Sequence, residues 1–206
     1  IYDDFYWYTH FMDTDFAYGR ALAQTGGTAI MRLADADVIP YEYGASADTI
    51  ARYVKELEKL LKDKQDEATE RNLELEEGVF SATSDPKKVS VAPPKDEVAP
   101  YMNFAPLKNG LERIRLSAER YQKTFQKWQA GGSGMPKESL DTLNFDLLRV
   151  QKAFLTERGL PERPWFKHQV YAPGAYTGYG AKPIAAVREY MDQKKWKEAD
   201  AEVPGV

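Results

Sequence analysis

Apolar residues recur along much of the chain at the three-and-four spacing that is typical of one face of an α-helix. One such stripe follows Ser46, which is a suitable N-cap, and lies opposite a face of Lys and Glu. The tract from Lys62 to Glu77 continues with almost no large apolar residues, and we expect it to be an exposed helical extension that frays before Gly78. The stripe consists of Ile50, Tyr53, Val54, Leu57, Leu60 and Leu61.

Two further stripes are separated by a short glycine-rich run, and this order predicts an antiparallel helical hairpin. We expect its helices near residues 104–129 and 137–157, with Asn103 as the first cap, Gly131 and Gly132 as the first stop, and Gly159 with Pro161 as the second stop. The seam of the first helix is Leu107, Leu111, Ile114, Ala118, Tyr121, Phe125 and Trp128; that of the second is Leu140, Leu143, Leu147, Val150 and Phe154.

These seams have two interpretations that their periodicity does not separate. They build a single helical core, or part of a stripe is left over to be buried against another subunit.

The N-terminal eighteen residues hold a dense group of aromatic side chains, which we expect to be covered. A helix is predicted over about 14–37, capped by Asp13 or Asp15 and ended by Pro40. Gly26 and Gly27 in its middle favour a closely packed neighbouring backbone, which would offset their low helix propensity. The aromatic residues are Tyr2, Phe5, Tyr6, Trp7, Tyr8, Phe11, Phe16 and Tyr18.

The remaining segments are irregular. Four prolines between residues 81 and 100 predict an extended surface connector. Residues 160–182 are rich in Pro, Gly and Tyr and read as a loop anchored by its aromatic side chains, after which Pro183 opens a short helix. The chain therefore predicts an all-α fold, an up-and-down helical bundle resembling a four-helix bundle, with long irregular loops.

Composition narrows the possible functions. The 206 residues carry a net charge of −4, which provides no basic field for a phosphate backbone, so we expect no nucleic-acid partner. Cys is absent, which excludes disulfides and thiolate chemistry and leaves the compartment open. No apolar run is long enough for a transmembrane helix, and we expect no membrane contact by this segment.

No motif forms a self-sufficient active site, and we assign no catalytic or metal-binding residue. His10 and His168 are far apart and lie in no HExxH motif, and no Ser lies in a GxSxG setting. The acidic pairs at residues 3–4, 13–15 and 35–37 are explained by helix capping more readily than by metal ligation.

Two blocks of the sequence nevertheless resemble a known family. Residues 1–43, IYDDFYWYTHFMDTDFAYGRALAQTGGTAIMRLADADVIPYEY, and residues 159–180, GLPERPWFKHQVYAPGAYTGYG, are similar to the C-terminal part of the glutamate carboxypeptidase II and transferrin receptor family of M28-type zinc peptidases. The likeness is moderate over the predicted hairpin and poor from Glu67 to Pro100, where we expect an insertion.

The resemblance implies a domain assignment and a role. Residues 1–40 would be an aromatic segment and helix at the edge of the peptidase domain, and residues 41–206 a transferrin receptor-like dimerisation domain. The two zinc ions of the parent peptidase, all their ligands and its catalytic Glu would lie upstream of Ile1. The segment itself would then be non-catalytic and without a cofactor. Its partners would be a second copy and the upstream peptidase domain.

The same resemblance also bears on one substrate contact and on the compartment of the parent protein. Family members specific for glutamate use a Lys-Tyr pair after the YAP motif; here Tyr179 matches the Tyr, and Gly178 stands where the Lys would be. Losing that cation makes strict preference for a C-terminal Glu doubtful, and Tyr179 could equally be a loop-anchoring aromatic. Relatives are often secreted, periplasmic or membrane-tethered, so the resemblance allows an exported parent and leaves the compartment unknown.

The leading hypothesis is thus a homodimerisation domain that supports a neighbouring peptidase site. One rival is an enzyme complete within these residues. The other is a free-standing helical interaction module that is unrelated to a peptidase.

Deleting residues 1–12 is expected to raise solubility without abolishing helicity, because that segment carries six of the eight clustered aromatic side chains and none of the predicted bundle seams. The maximum soluble concentration and the circular dichroism spectrum of the shortened chain check this. A collapse of the helical signal would contradict it.

Overall fold

The computed structural model describes residues 4–88, 90–132 and 134–206, so Tyr2 and Asp3 of the predicted aromatic and acidic groups lie outside the described residues. The prediction of a mainly helical fold is confirmed. The helices are α1 (Phe5–Trp7), α2 (Ala17–Ala34), α3 (Tyr43–Glu76), α4 (Val79–Thr83), α5 (Ala105–Gly131), α6 (Lys137–Val150), α7 (Ala185–Asp192) and α8 (Trp196–Glu202). Strands β1 (Tyr171–Pro173) and β2 (Ala181–Pro183) pair antiparallel, with Ala172 opposite Lys182.

The chain divides into two compact units. The first consists of residues 1–41 and 134–149, and the second of residues 42–133 and 150–206. α1, α2 and nearly all of α6 therefore belong to the first unit, and α3, α5, α7, α8 and the sheet to the second. The antiparallel packing of the two predicted hairpin helices stays a prediction, since α5 and α6 belong to different units.

The core of the second unit forms where α3 meets α5 and the C-terminal helices. The ring of Tyr43 contacts that of Tyr121 at 5.5 Å, and Lys108 pairs with Glu58, so the two long helices run antiparallel. One face of α3 is buried, as its apolar spacing predicts. The buried cluster comprises Ile50, Val54, Leu57, Leu61, Ala99, Met102, Phe104, Leu107, Val170, Ile184, Val187, Met191, Trp196, Ala199 and Val203.

α3 is longer at both ends than the apolar stripe predicts. It begins at Tyr43 rather than after Ser46, and no side chain caps its first turn. It continues unbroken to Glu76, and Ala68 is buried near its end. The expectation of an exposed extension is therefore wrong in part, because the chain returns along this end of the helix and covers it.

The proline-rich connector is bound to α3 through backbone hydrogen bonds made by two side chains. The Asn72 amide donates to the carbonyl of Asp96 and accepts from its backbone N–H, both at 2.8 Å. Gln65 donates to the carbonyl of Ala99 at 3.0 Å. The Asp96 carboxylate lies within ion-pair distance of Arg71 and Lys194. The connector is extended, as predicted, but its end is fastened to the helix rather than merely exposed.

The predicted helix over 137–157 ends earlier, at Val150, and continues as one 3₁₀ turn over Gln151–Phe154. Gly159 does not cap this helix. It has φ +63°, and a Cβ there would overlap the backbone of Pro164, so it serves a tight reversal of the chain.

The first unit is organised around Asp13 and Asn144. The buried Asp13 carboxylate accepts from the backbone N–H groups of Tyr18 and Gly19 and from the Tyr8 hydroxyl. The Asn144 amide accepts from the N–H of Ile39 and donates to the carbonyl of Asp37. Polar contacts therefore fix the start of α2 and attach the segment after it to α6.

α2 itself buries none of its residues. Leu22, Ile30, Met31 and Leu33 are exposed, and nothing in the described part of the chain comes within 4 Å of a Cβ built on Gly26 or Gly27. Within the described residues, no backbone packs on these glycines. The aromatic residues of α1 and the following π-helical turn are likewise mostly exposed.

Among the described helices, none combines the length and the apolar character that crossing a membrane requires.

Replacing Asn72 with Ala is expected to destabilise the second unit by about 1–3 kcal/mol, because the backbone N–H and C=O of Asp96 lose their partners in a half-buried position. Urea unfolding measures this loss. Asn109→Ala, an exposed position on α5, is the matched control and should change the free energy of unfolding by less than about 0.5 kcal/mol. Equal effects of the two substitutions would contradict the role assigned to Asn72.

Candidate functional site

The predicted seam of α5 is the least exposed face of that helix. Leu107 and Ala118 are buried, and Leu111, Ile114, Tyr121, Phe125 and Trp128 are half-buried. The last three rings form a ladder, with centroids 5.9 Å apart between Tyr121 and Phe125 and 5.6 Å apart between Phe125 and Trp128. Part of this stripe belongs to the core and part stays accessible.

The predicted seam of α6 is divided. Leu147 is buried, Leu140 and Leu143 are half-buried, and Val150 is exposed. Phe154 lies in the 3₁₀ turn and packs against the core of the second unit. The opposite side of α6 bears Phe145 and Leu148, which are 60% and 52% exposed.

The chain between α6 and β1 folds back on itself. The N–H of Thr156 donates to the carbonyl of Lys167, and the N–H of Leu160 donates to that of Phe166. Leu160 and Ala172 are buried with Ala185 and Ala186 in a small second cluster. This region is therefore ordered by backbone pairing and by its apolar side chains, and it supports the strands that follow.

Strands β1 and β2 carry a loop over residues 174–180 with two tyrosines at its tip. Gly174 donates to the carbonyl of Gly180 at 3.1 Å, and the Thr177 hydroxyl donates to the same carbonyl at 2.7 Å. Tyr176 is 91% exposed and Tyr179 is fully exposed. Tyr179 therefore anchors nothing within the described residues, and its hydroxyl is free to meet a ligand.

Gly178 precedes Tyr179 with φ +59°, and nothing lies within 4 Å of a Cβ built on it. A side chain there would meet no neighbour but would hold a left-handed backbone, which costs an L-residue roughly 1–2 kcal/mol. The tip consequently carries two phenolic hydroxyls and no charge.

His168 holds the beginning of β1. Its Nδ1 accepts from the backbone N–H of Tyr171 at 3.0 Å, and the amide of Gln151 lies 2.7 Å from Nε2. The rings of Phe154 and Tyr171 flank it at 5.7 and 5.8 Å. Burial lowers the pKa of His168 below the ordinary 6.5, and the bond at Nδ1 requires that nitrogen to be unprotonated.

The acidic residues near the N-terminus act as caps. Asp4 accepts from the N–H of Trp7 at 2.7 Å and Asp15 from that of Ala17 at 3.2 Å, which with the contacts of Asp13 confirms the capping interpretation for these three. Burial works to raise the pKa of Asp13, but the hydrogen bonds from Gly19, Tyr18 and Tyr8 outweigh it and hold the pKa below its usual value.

Metal-donor residues do not converge in the part of the chain that the structure describes: no three His, Asp or Glu side chains are arranged to hold an ion. His10 bonds to the carbonyl of Tyr6 and stacks on its ring at 4.0 Å, far along the chain from His168.

Two ion pairs in the second unit were not evident from the sequence. Arg163 pairs with Glu189 of α7, and Arg158 forms a two-pronged pair with Glu202 of α8. The partners are 26 and 44 residues apart. No spacing rule connects positions so distant, and only the tertiary structure brings them together.

The fold and this surface define a mainly α-helical domain with a partly open apolar seam, an exposed aromatic unit and a projecting loop, features typical of a protein–protein association domain. The chain belongs to the transferrin receptor-like dimerisation domain family, which matches residues 102–206, just over half of its length.

Curated relatives extend the similarity over nearly the whole chain. A probable glutamate carboxypeptidase LAMP1 of Arabidopsis thaliana is 27% identical across 95% of this chain. A probable glutamate carboxypeptidase of Arthroderma benhamiae is 24% identical across 93%, and probable glutamate carboxypeptidase AMP1 of Arabidopsis thaliana is 27% identical across 84%. The chain spans only 20–22% of the length of these relatives.

Stability is expected to fall as the pH decreases from about 7.5 to about 5.5, because an unfolded His binds a proton near pH 6.5 whereas folded His168 resists protonation. Between the two pKa values the unfolded chain holds more protons, so stability rises with pH. Urea unfolding at several pH values measures the slope.

The chain's two histidines provide a matched comparison. His168→Gln should remove this part of the slope, whereas His10→Gln should keep it, since His10 is exposed. The same pH dependence in both variants would refute the assignment.

Proposed function

We propose that this chain is the homodimerisation domain of an M28-type zinc peptidase that resembles glutamate carboxypeptidase II. The observation that carries the proposal is the family membership together with relatives named as probable glutamate carboxypeptidases, of which the chain spans about a fifth. In this role the domain joins two copies and supports the adjacent active site, and it performs no bond cleavage itself.

Exposed apolar side chains on α6 support self-association. Phe145 and Leu148 are spaced three residues apart and therefore share one helical face, which water covers in the single chain. A pair of copies related by a twofold axis would present this face twice, and a stable interface of this kind buries on the order of 1,600 Å² in total.

The exposed apolar side chains of α2 support a contact between this helix and the peptidase domain. An isolated helix of this length is marginal in water, and two glycines in its interior weaken it further. A domain packed over Leu22, Ile30 and Leu33 would stabilise it by removing their surface from water. The upstream peptidase domain is the partner that we assign to this face.

The described residues do not fit a zinc site, since no three of their His, Asp or Glu side chains converge on one position. Following the family resemblance, we assign the two zinc ions to the upstream domain of the parent peptidase.

Tyr179 is the residue that we assign to substrate binding. Its fully exposed hydroxyl can donate to a carboxylate or carbonyl oxygen of the substrate, and the neutral tip offers no cation to select a second carboxylate. We infer a parent enzyme without a strict preference for a C-terminal Glu.

The dimer is expected in light scattering of the chain at tens of micromolar. Phe145→Glu should raise the dimer dissociation constant about thirtyfold or more, because it places a charge in an apolar interface. Val91→Glu, at an exposed position in the connector, is the control and should leave the constant unchanged. A monomer at all concentrations would refute the proposed role.

In the full-length peptidase, Tyr179→Phe is expected to raise KM roughly 2- to 10-fold for N-acylated acidic dipeptides, the loss of one neutral hydrogen bond. Tyr176→Phe is the matched control at the same loop tip. Turnover by the 206-residue chain alone with added zinc would contradict the assignment of catalysis to the upstream domain.

A further inference from the structure

A largely buried ion pair brackets the first residues of the 174–180 loop. Arg163 and Glu189 leave only 12% of each side chain exposed, and their closest atoms are 2.6 Å apart. Arg163 Nη1 also donates to the carbonyl of Pro173 at 2.6 Å, and Glu189 Oε1 accepts from the N–H of Ala175 at 2.7 Å. The pair thus binds the backbone immediately before and immediately after Gly174.

The rest of the loop leaves little freedom once this entrance is fixed. A Cβ on Gly174 would overlap the Thr177 side chain, and Thr177 in turn bonds to Gly180. At the exit, the fully buried Ile184 donates its N–H to the carbonyl of Val170. The loop is closed at both ends while Tyr176 and Tyr179 stay in water.

The chemistry of the pair suits this task. A planar guanidinium directs two N–H groups at two different acceptors in a fixed geometry, and a lysine has no such fork. A half-exposed pair would contribute little to stability, but this one is largely removed from water and each partner also binds backbone. The desolvation cost of the pair and its contacts with the backbone therefore both fall at the entrance of the loop.

We propose that Arg163 and Glu189 are positioning residues that hold the two-tyrosine loop in its ligand-ready conformation before substrate arrives. The proposal rests on the proposed function in one respect, the role of Tyr179 in contacting substrate. Preorganisation of this kind lowers the ordering cost of binding, so its loss appears in KM rather than in kcat.

Hydrogen exchange of the full 206-residue chain tests the mechanical part without reference to catalysis. In Glu189→Gln, which keeps the side-chain shape and an acceptor, the amides of Ala175, Thr177 and Gly180 should exchange on the order of tenfold faster. Arg163→Lys should act in the same direction. Asp192→Asn is the matched control, because it breaks the ion pair between α7 and Lys182 of β2 without touching the loop.

Thermal unfolding of each variant verifies that the fold is retained. Loop exchange that is unchanged in both Glu189→Gln and Arg163→Lys overturns the proposal, and so does equal loosening in Asp192→Asn.

Kinetics of the full-length peptidase test the functional part. Glu189→Gln should raise KM about as much as Tyr179→Phe does and change kcat less than twofold. If Tyr179→Phe raises KM and Glu189→Gln does not, the positioning role is overturned while the proposed function survives. If Tyr179→Phe has no effect, the proposed substrate contact fails, and the positioning role in this reaction is overturned with it.

Discussion

Burial of the apolar face of α3 is the interaction on which the second unit depends. Leu57 and Val54 lie at the centre of a cluster to which the connector, α5, the loop region and both C-terminal helices contribute. Each such side chain stabilises the fold by roughly 1.5–3 kcal/mol relative to exposure. Because residues between positions 50 and 203 join this one cluster, its burial sets the positions of elements that are far apart in the chain.

The loop with its two tyrosines is positioned through that core. Val170 and Ile184 belong to the cluster and flank the sheet, so the strands are fixed at their bases by apolar burial. Polar contacts then orient the chain around the strands. His168 binds the start of β1, and the Arg163–Glu189 pair binds the entrance of the loop. Apolar packing thus fixes the position of the two strands, and hydrogen bonds orient the loop that projects from them.

The first unit buries far fewer side chains than the second. Its described residues bury few side chains, chiefly Asp13, Val38 and Leu147, and its aromatic and aliphatic surface faces water. A helix such as α2 obtains little stability when its apolar side chains face water, since helical stability comes mainly from packing an apolar face. The first unit therefore leaves a larger share of its apolar side chains in water than the second unit, whose helices bury a common core.

Local patterns were sufficient to indicate where the long helices lie and which faces of α3 and α5 point inward. Three-and-four spacing located the buried side of α3 and the least exposed side of α5, and carboxylates before apolar runs located the caps Asp4, Asp13 and Asp15, because these features depend on neighbours within one or two turns. The family resemblance likewise identified the family, whose model matches residues 102–206.

Features that join distant segments could not be found in this way. The covering of α3 by the connector through Asn72 and the pairing of Arg163 with Glu189 depend on where the chain reverses, and no periodicity records that. The same reason accounts for the early end of α6 and for the uncovered glycines of α2, since a local pattern shows which face is apolar but not whether another segment arrives to cover it.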